Sequence, residues 1–298
     1  MSTIAAAGVP DTLVRPARRN RFVGFLSAFR RQRLGIVGVM LLSLTVIAAI
    51  GAPWIAPYSP NKIDALHVLQ SPGMHHLLGT DSLGRDVFSR ILYGARVSLY
   101  AGFVVVSVSM IIGTAIGLVA GYAGGITDAV LMRLMDALLA FPGLVFAIAI
   151  TAALGPNLTN AMIAIAVLSF PGAARIARGE TLSLRERDFV LAERVLGASP
   201  VRILFRHILP NALAPIIVLG SLRVGGAILI ETSLSFLGLG VQPPTASWGA
   251  MVNEGSAFLE RAPWISMASG GAIFLAVMGA NLLGDAVRDI LDPRLRNA

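Results

Sequence analysis

Chemistry needs nucleophiles, acids, metal ligands or phosphate cradles at workable spacing, and this sequence offers few. Gly79–Asp86, GTDSLGRD, has the G-x-x-x-x-G frame of a phosphate-binding loop, but Arg85 and Asp86 stand where Lys and Ser or Thr are required. The one lysine, Lys62, follows Pro60-Asn61 with no glycine frame. The chain is therefore not expected to bind or hydrolyse ATP by itself. There is no His-Glu-x-x-His pair for zinc, and Leu282-Leu283-Gly284-Asp285 lacks the first glycine of a Gly-x-Gly-Asp protease pattern. Of four histidines, His67, His75 and His76 share one polar stretch, and His75 and His76 lack neighbouring ligands, so solvated loop histidines are expected. Zero cysteine excludes disulfides and thiolate metal sites. No catalytic residue, cofactor or metal site is read, and an intramembrane enzyme is disfavoured. A channel would want a short filter sequence or a charged ring, and neither is evident.

What remains is charge set among apolar residues. Arg133 and Asp136 are three apart and can pair on one helical face; Arg223 and Glu231 are two turns apart. Charges inside membrane spans usually face a bundle interior or water. An intramolecular ion pair is the expected reading of Arg133 and Asp136, whereas pathway lining and structural pairing both account for Arg223 and Glu231. The other polar stretch is Phe189–Pro210, FVLAERVLGASPVRILFRHILP, in which Arg194, Arg202 and Arg206 alternate with apolar residues. It reads as two short amphipathic helices at a membrane surface, broken by Gly197, Ser199 and Pro200.

The elements that must hold these residues follow from composition. Hydrophobic residues make up 55% of 298, charged residues 13%, and mean hydropathy is +0.76. This describes an all-α polytopic membrane protein. Apolar spans are expected at about Leu34–Ala56, Ser98–Tyr122, Ala129–Ala153, Leu158–Ile176, Ala212–Leu237 and Ile265–Val287, each long enough for the roughly 20 residues a hydrocarbon core requires. The first exceeds the roughly 7 to 15 residues of a signal core and reads as a retained span. Ser109, Gly113, Gly117 and Gly121 form a small-residue stripe suited to close helix packing, within the chain or against a partner. Pro142-Gly143 and Pro171-Gly172 are expected to break the third and fourth spans.

Arginine distribution orients the six spans. Seventeen lie in the tail 1–33, between Arg175 and Arg206, or beyond Arg288; five cationic residues (Lys62, Arg85, Arg90, Arg96 and Arg261) lie on the other side. By the positive-inside rule both termini and the stretch between the fourth and fifth spans are cytoplasmic. The net charge of +8 belongs to this bias; no aromatic–basic interleaving points to nucleic acid. The parts are then a basic cytoplasmic tail 1–33, a first span with an extracytoplasmic segment 34–97, a membrane core 98–287 containing a loop 177–211, and a cytoplasmic tail 288–298.

Several segments resemble one family. In Phe189–Pro210, Gly197 and Leu209-Pro210 stand at the spacing of the coupling loop of ABC importer permeases, Glu-Ala-Ala, three residues, Gly, nine residues, Ile, any residue, Leu-Pro. Leu191, Ala192 and Glu193 occupy the Glu-Ala-Ala positions, keeping only the middle Ala, and His207 replaces the Ile. His76–Arg90, Tyr93–Leu99, Ser235–Gly249 and Asn281–Leu295 resemble signatures of the C-type permease of dipeptide, oligopeptide and nickel importers. The resemblance implies a bacterial inner-membrane importer: two different permeases, two ATP-binding subunits and an extracytoplasmic solute-binding protein. It implies short peptides as solutes, with nickel chelates or another small solute as the alternative. It also implies an ATPase-coupling role for Leu191, Ala192, Glu193, Arg194, Gly197, Ala198, Ser199, Leu209 and Pro210. The topology predicts that Ser82→Cys, in an otherwise cysteine-free chain, is modified by an impermeant thiol reagent only from outside the cell; labelling from the cytoplasmic side alone would overturn it.

Overall fold

The computed structural model describes residue 29 and residues 32–291. The first span is α1, Arg33–Ile55. It is followed by a loop and then by α2, Val87–Ala123, a 37-residue helix. At about 1.5 Å per residue α2 is roughly 55 Å long, well beyond a hydrocarbon core of about 30 Å. Its first turns, including Arg90 and Arg96, therefore stand outside the core. That is why the apolar run starts at Ser98 while the helix starts eleven residues earlier, inside the segment 34–97 that precedes the core. Asp86 caps α2 by accepting the Ser89 amide at 2.8 Å.

The expected third span is two helices, α3 (Gly125–Leu139) and α4 (Gly143–Leu154), bent by 91° at Pro142. Pro142-Gly143 breaks the span as its sequence foretells. Pro171 does not: α5 runs unbroken from Leu158 to Arg185, with Pro171 buried inside it. The Ser109 hydroxyl of α2 reaches across to the Ala166 carbonyl of α5 at 3.3 Å. A membrane helix tolerates a proline that is packed among its neighbours. Counting the bent pair as one, up to six helices are long and apolar enough to cross a membrane.

Beyond a short helix α6 (Asp188–Val195), α7 runs from Pro200 to Phe236. Its parts are an α turn Pro200–Ile203, a π segment Leu204–Ile208 and the span Leu209–Phe236. Pro210 has no amide to offer the preceding turn, which is the widened π segment, and the Asn211 side chain donates to the His207 carbonyl at 2.6 Å. Thus the expected second surface helix is the first turns of a spanning helix. A nine-residue α8 (Trp248–Ser256) and the last span α9 (Pro263–Leu291) complete the order. Residues 1–28, 30 and 31 of the basic tail, and 292–298 of the C-terminal tail, lie outside the described residues.

The small-residue stripe of α2 packs within the chain. Cβ atoms built at Gly113, Gly117 and Gly121 would collide with α5: at Gly113 one would lie 2.6 Å from Ala173 Cβ, at Gly117 2.7 Å from Ala177 Cβ, and at Gly121 2.7 Å from Thr181 Cβ. The two helices run parallel with their backbones nearly touching. A second close approach pairs α1 with α9, where a Cβ at Gly38 would sit 2.6 Å from the Leu283 nitrogen and one at Gly279 2.8 Å from the Leu42 nitrogen. Gly117→Val must push backbone from backbone, and overpacking of this kind costs about 1–3 kcal/mol or more. The variant should insert but unfold at a clearly lower temperature in detergent, whereas Gly143→Ala, where a Cβ meets nothing within 4 Å, should not.

Candidate functional site

The basic end of the bundle carries the loop between α5 and α7. Val190, Ile203 and Ile208 are fully buried and pack with Leu118 at the end of α2, flanked by Tyr122, Leu184 and Ala198. The loop is therefore joined rigidly to three helices. Glu193 faces inward, its Oε1 3.3 Å from His207 Nε2, close enough for attraction but without hydrogen-bond geometry. Arg194 lies over the Tyr122 ring at 5.2 Å. Gly197 has φ +76°, a left-handed conformation that a β-branched residue resists, and its amide closes α6 by bonding the Arg194 carbonyl. The Ala198 amide bonds the Glu193 carbonyl. Ser199 caps the next helix by accepting the Arg202 amide. Leu209 and Pro210 follow the π segment.

All the sequence-derived loop residues thus fall on one strapped segment, and the most exposed part of its outward surface is two others. Val195 is 88% and Leu196 82% exposed, at the tip beside Gly197. Leu191, Ala192 and Arg194 are exposed with them. Spacing alone does not set Val195 and Leu196 apart from the other apolar residues of the stretch; the turn at Gly197 does, with both side chains held away from the bundle.

The charges within the spans are arranged differently from expectation. Asp136 of α3 pairs with Arg175 of α5 at 2.5 Å, and Asp128 with Arg178 at 2.6 Å, so two carboxylates tie α3 to α5. Arg133 points elsewhere and has no ion-pair partner among the described residues. The expected Arg133–Asp136 pair does not form, because Arg175 and Arg178 reach those acids from the neighbouring helix. Glu231 is fully buried and accepts hydrogen bonds from Ser98 of α2 at 2.9 Å and Ser235 at 2.8 Å. It does not meet Arg223, which is exposed halfway along α7.

At the opposite end the 56–86 loop is tied down rather than loose. Asp81 Oδ1 accepts the amides of Leu83 and Arg85, both at 2.9 Å, and Asp81 Oδ2 accepts Arg85 Nε at 2.6 Å. Arg85 also donates to both oxygens of Glu254 on α8, at 2.8 and 2.9 Å, and Ser82 donates to Glu254 as well. Arg90 lies 3.3 Å from the same Asp81 oxygen. Trp248 and Trp264 donate indole hydrogens to the carbonyls of Ile91 and Thr80 at 3.0 and 3.1 Å. His76 is buried, not solvated, because its Nδ1 meets the α2 cap Asp86 at 2.9 Å. His67 sits against Asp64 at 2.8 Å, and that hydrogen bond holds the Asp64 carboxyl below the usual carboxylate range. The GTDSLGRD frame that mimics a phosphate loop is thus a charge-locked cap: its Asp81 and Arg85 bond each other and are closed by Arg90 and Glu254 from outside it.

The family described as "binding-protein-dependent transport system inner membrane component" matches residues 113–297, and the chain belongs to it. Residues 21–72 match the N-terminal TM domain of oligopeptide transport permease C. The dipeptide transport system permease protein of Alkalihalophilus pseudofirmus is 44% identical over 268 residues, 90% of this chain and 88% of that protein. The glutathione transport system permease protein of Escherichia coli O157:H7 is 46% identical over 286 residues, covering 95% and 94%. A chain of the inward-facing MetNI methionine ABC transporter shares the fold with a TM-score of 0.55 at 16% identity, covering 67% of this chain and 95% of that one. The chain is a multi-pass inner-membrane component of an ABC importer, a system whose description implies ATPase and solute-binding partners.

The cap generates its own prediction. Glu254→Ala leaves the 8%-exposed Arg85 side chain without its cross-segment partner but still on Asp81. A cost of about 1–3 kcal/mol follows from the lost charged hydrogen bonds. The melting temperature in detergent should fall for Glu254→Ala and stay unchanged for the exposed Glu260→Ala.

Proposed function

We propose that this chain is one half of the translocation pathway for short peptides, paired with a second, different permease and driven by two ATP-binding subunits that dock on the loop between α5 and α7. A solute-binding protein delivers the peptide at the capped end, which faces outward; the basic end and both termini face the cytoplasm. Peptide solutes are supported by the relatives, whose names specify a dipeptide and glutathione, itself a short peptide. The chain contributes no ATPase of its own, since its one lysine lies outside any glycine frame. In this division of the chain, 34–97 supplies the first span and outer cap and 98–287 the core with its loop 177–211.

The observation that carries the reading is the pair Val195 and Leu196, more than four-fifths exposed on a segment that is otherwise strapped down. Large apolar side chains held out by a rigid turn suit a cleft in a partner subunit. Leu191, Ala192 and Arg194 flank them, while Glu193, Ala198, Ser199, Leu209 and Pro210 hold the turn. A loop that is docked outside and buried inside transmits a push in either direction. ATP-driven closure of the ATPase pair moves the loop, and α5 and α7 move with it.

The test compares uptake with ATPase activity in vesicles containing the complete importer. Leu196→Asp and Arg194→Glu should leave the chain inserted and paired while uptake and binding-protein-stimulated ATPase fall at least tenfold. Gly197→Val should do the same because its φ of +76° strains a β-branched residue, and Gly197→Asn, which tolerates that conformation, should recover most of the activity. Near-normal rates for Leu196→Asp would remove the coupling role.

A further inference from the structure

Arg223 stands in the middle of the Leu209–Phe236 span, fourteen residues from one end and thirteen from the other. At about 1.5 Å per residue that is about 20 Å each way, roughly three times the reach of an arginine side chain. Its guanidinium therefore cannot snorkel to either interface. It is exposed, and no hydrogen bond or ion pair holds it among the described residues. Lipid is an expensive neighbour for such a group, and exposed intramembrane charges accordingly face water or a partner.

Its surroundings favour water. The guanidinium lies beside Gly172 of α5, where a Cβ would be 3.1 Å from Nη2. One turn along α5, Arg175 and Asp136 form their ion pair with both side chains about half exposed, 51% and 48%. One turn along α7, a Cβ at Gly226 would meet nothing within 4 Å. The helices α3, α5 and α7 thus present one open polar face that runs from mid-membrane at Arg223 toward the basic end at Arg175 and Asp136, where two arginines stand against one carboxylate. The surplus charge calls for an anion, and the solutes named for the two relatives, a dipeptide and glutathione, both carry free carboxylates.

We propose that Arg223 binds the carboxylate of the passing peptide on a water-lined face formed by α3, α5 and α7. The proposal rests on the permease reading above and adds to it a residue and the chemical group that it receives. Arg175 and Asp136 flank this site as a fixed dipole, and Glu231, sealed between Ser98 and Ser235, takes no part in it.

The experiment uses the complete importer in vesicles with Gly226→Cys as the one cysteine of this chain, the other subunits being free of reactive thiols. Membrane-impermeant sulfonatoethyl and trimethylammonioethyl methanethiosulfonates probe the face with opposite charges. Both should label the cysteine, the anion about threefold or more faster than the cation once intrinsic reactivities are divided out, as expected for one nearby positive charge. Arg223→Gln should abolish the preference and Arg223→Lys should keep it. A dipeptide with a free carboxylate should slow labelling more than its amide when Arg223 is present. Arg223→Gln without the cysteine should lower peptide uptake at least fivefold while binding-protein-stimulated ATPase persists. No labelling by either reagent would show a face covered by lipid or protein, and labelling without charge preference would show an Arg223 neutralised by the sister permease; either overturns the proposal. Loss of uptake and ATPase together in Arg223→Gln would assign a structural role instead and overturn it too. Failure of the unmodified importer to take up peptide would count against the permease reading, not against this site.

Discussion

Everything at the basic end depends on how closely α2 and α5 approach. In hydrocarbon, apolar side chains gain little from burial against one another, so packing and hydrogen bonds must hold helices together. Gly113, Gly117 and Gly121 let the α2 backbone lie directly on Ala173, Ala177 and Thr181 of α5. With the two helices locked in parallel, Leu118 and Tyr122 of α2 finish level with Leu184 of α5. That shared ledge receives Val190, Ile203 and Ile208, and the loop becomes a rigid extension of the bundle. A loop seated less firmly would absorb displacement instead of passing it on.

The opposite end is held by different physics. There the stabilising groups are charged, and their partners come from far along the chain: Arg85 from the first loop, Glu254 from α8, Trp264 from the start of α9. Such buried ionic ties are weak arguments for net stability but strong ones for a single arrangement, since losing one partner strands the other. Asp86 links the two regimes, capping α2 with one carboxylate oxygen and holding His76 with the other.

The spans were legible because mean hydropathy and length decide them almost alone, and the stripe in α2 because four-residue spacing is visible in any helix. Helix ends were not legible. Apolar runs report the hydrocarbon thickness, whereas α2, α5 and α7 continue past it, where Arg96, Arg185 and Arg202 are as acceptable as leucine. Ion pairing was misassigned because two residues three apart look like partners until a neighbouring helix offers a better one, as Arg175 does for Asp136. The cap was hidden by its likeness to a phosphate loop: GTDSLGRD has glycines for turning, but Gly84, at φ +73°, turns so that Asp81 can bond the Leu83 and Arg85 amides. The loop's place between the fourth and fifth spans was legible from the break in hydropathy; the outward direction of Val195 and Leu196 needed the turn itself.

The continuity of α7 has a mechanical meaning. From Pro200 to Phe236 it is one rod of about 55 Å, whose lower end is the loop and whose upper end carries Ser235, the residue that accepts the Val241 amide and donates to Glu231. Tilting such a lever by about 10° around its middle would carry each end about 5 Å in opposite directions. The π segment Leu204–Ile208 sits near the loop end, where a widened turn gives the rod a place to yield. Apart from that turn, a displacement at one end of such a rod reappears at the other, equal in size and reversed in direction.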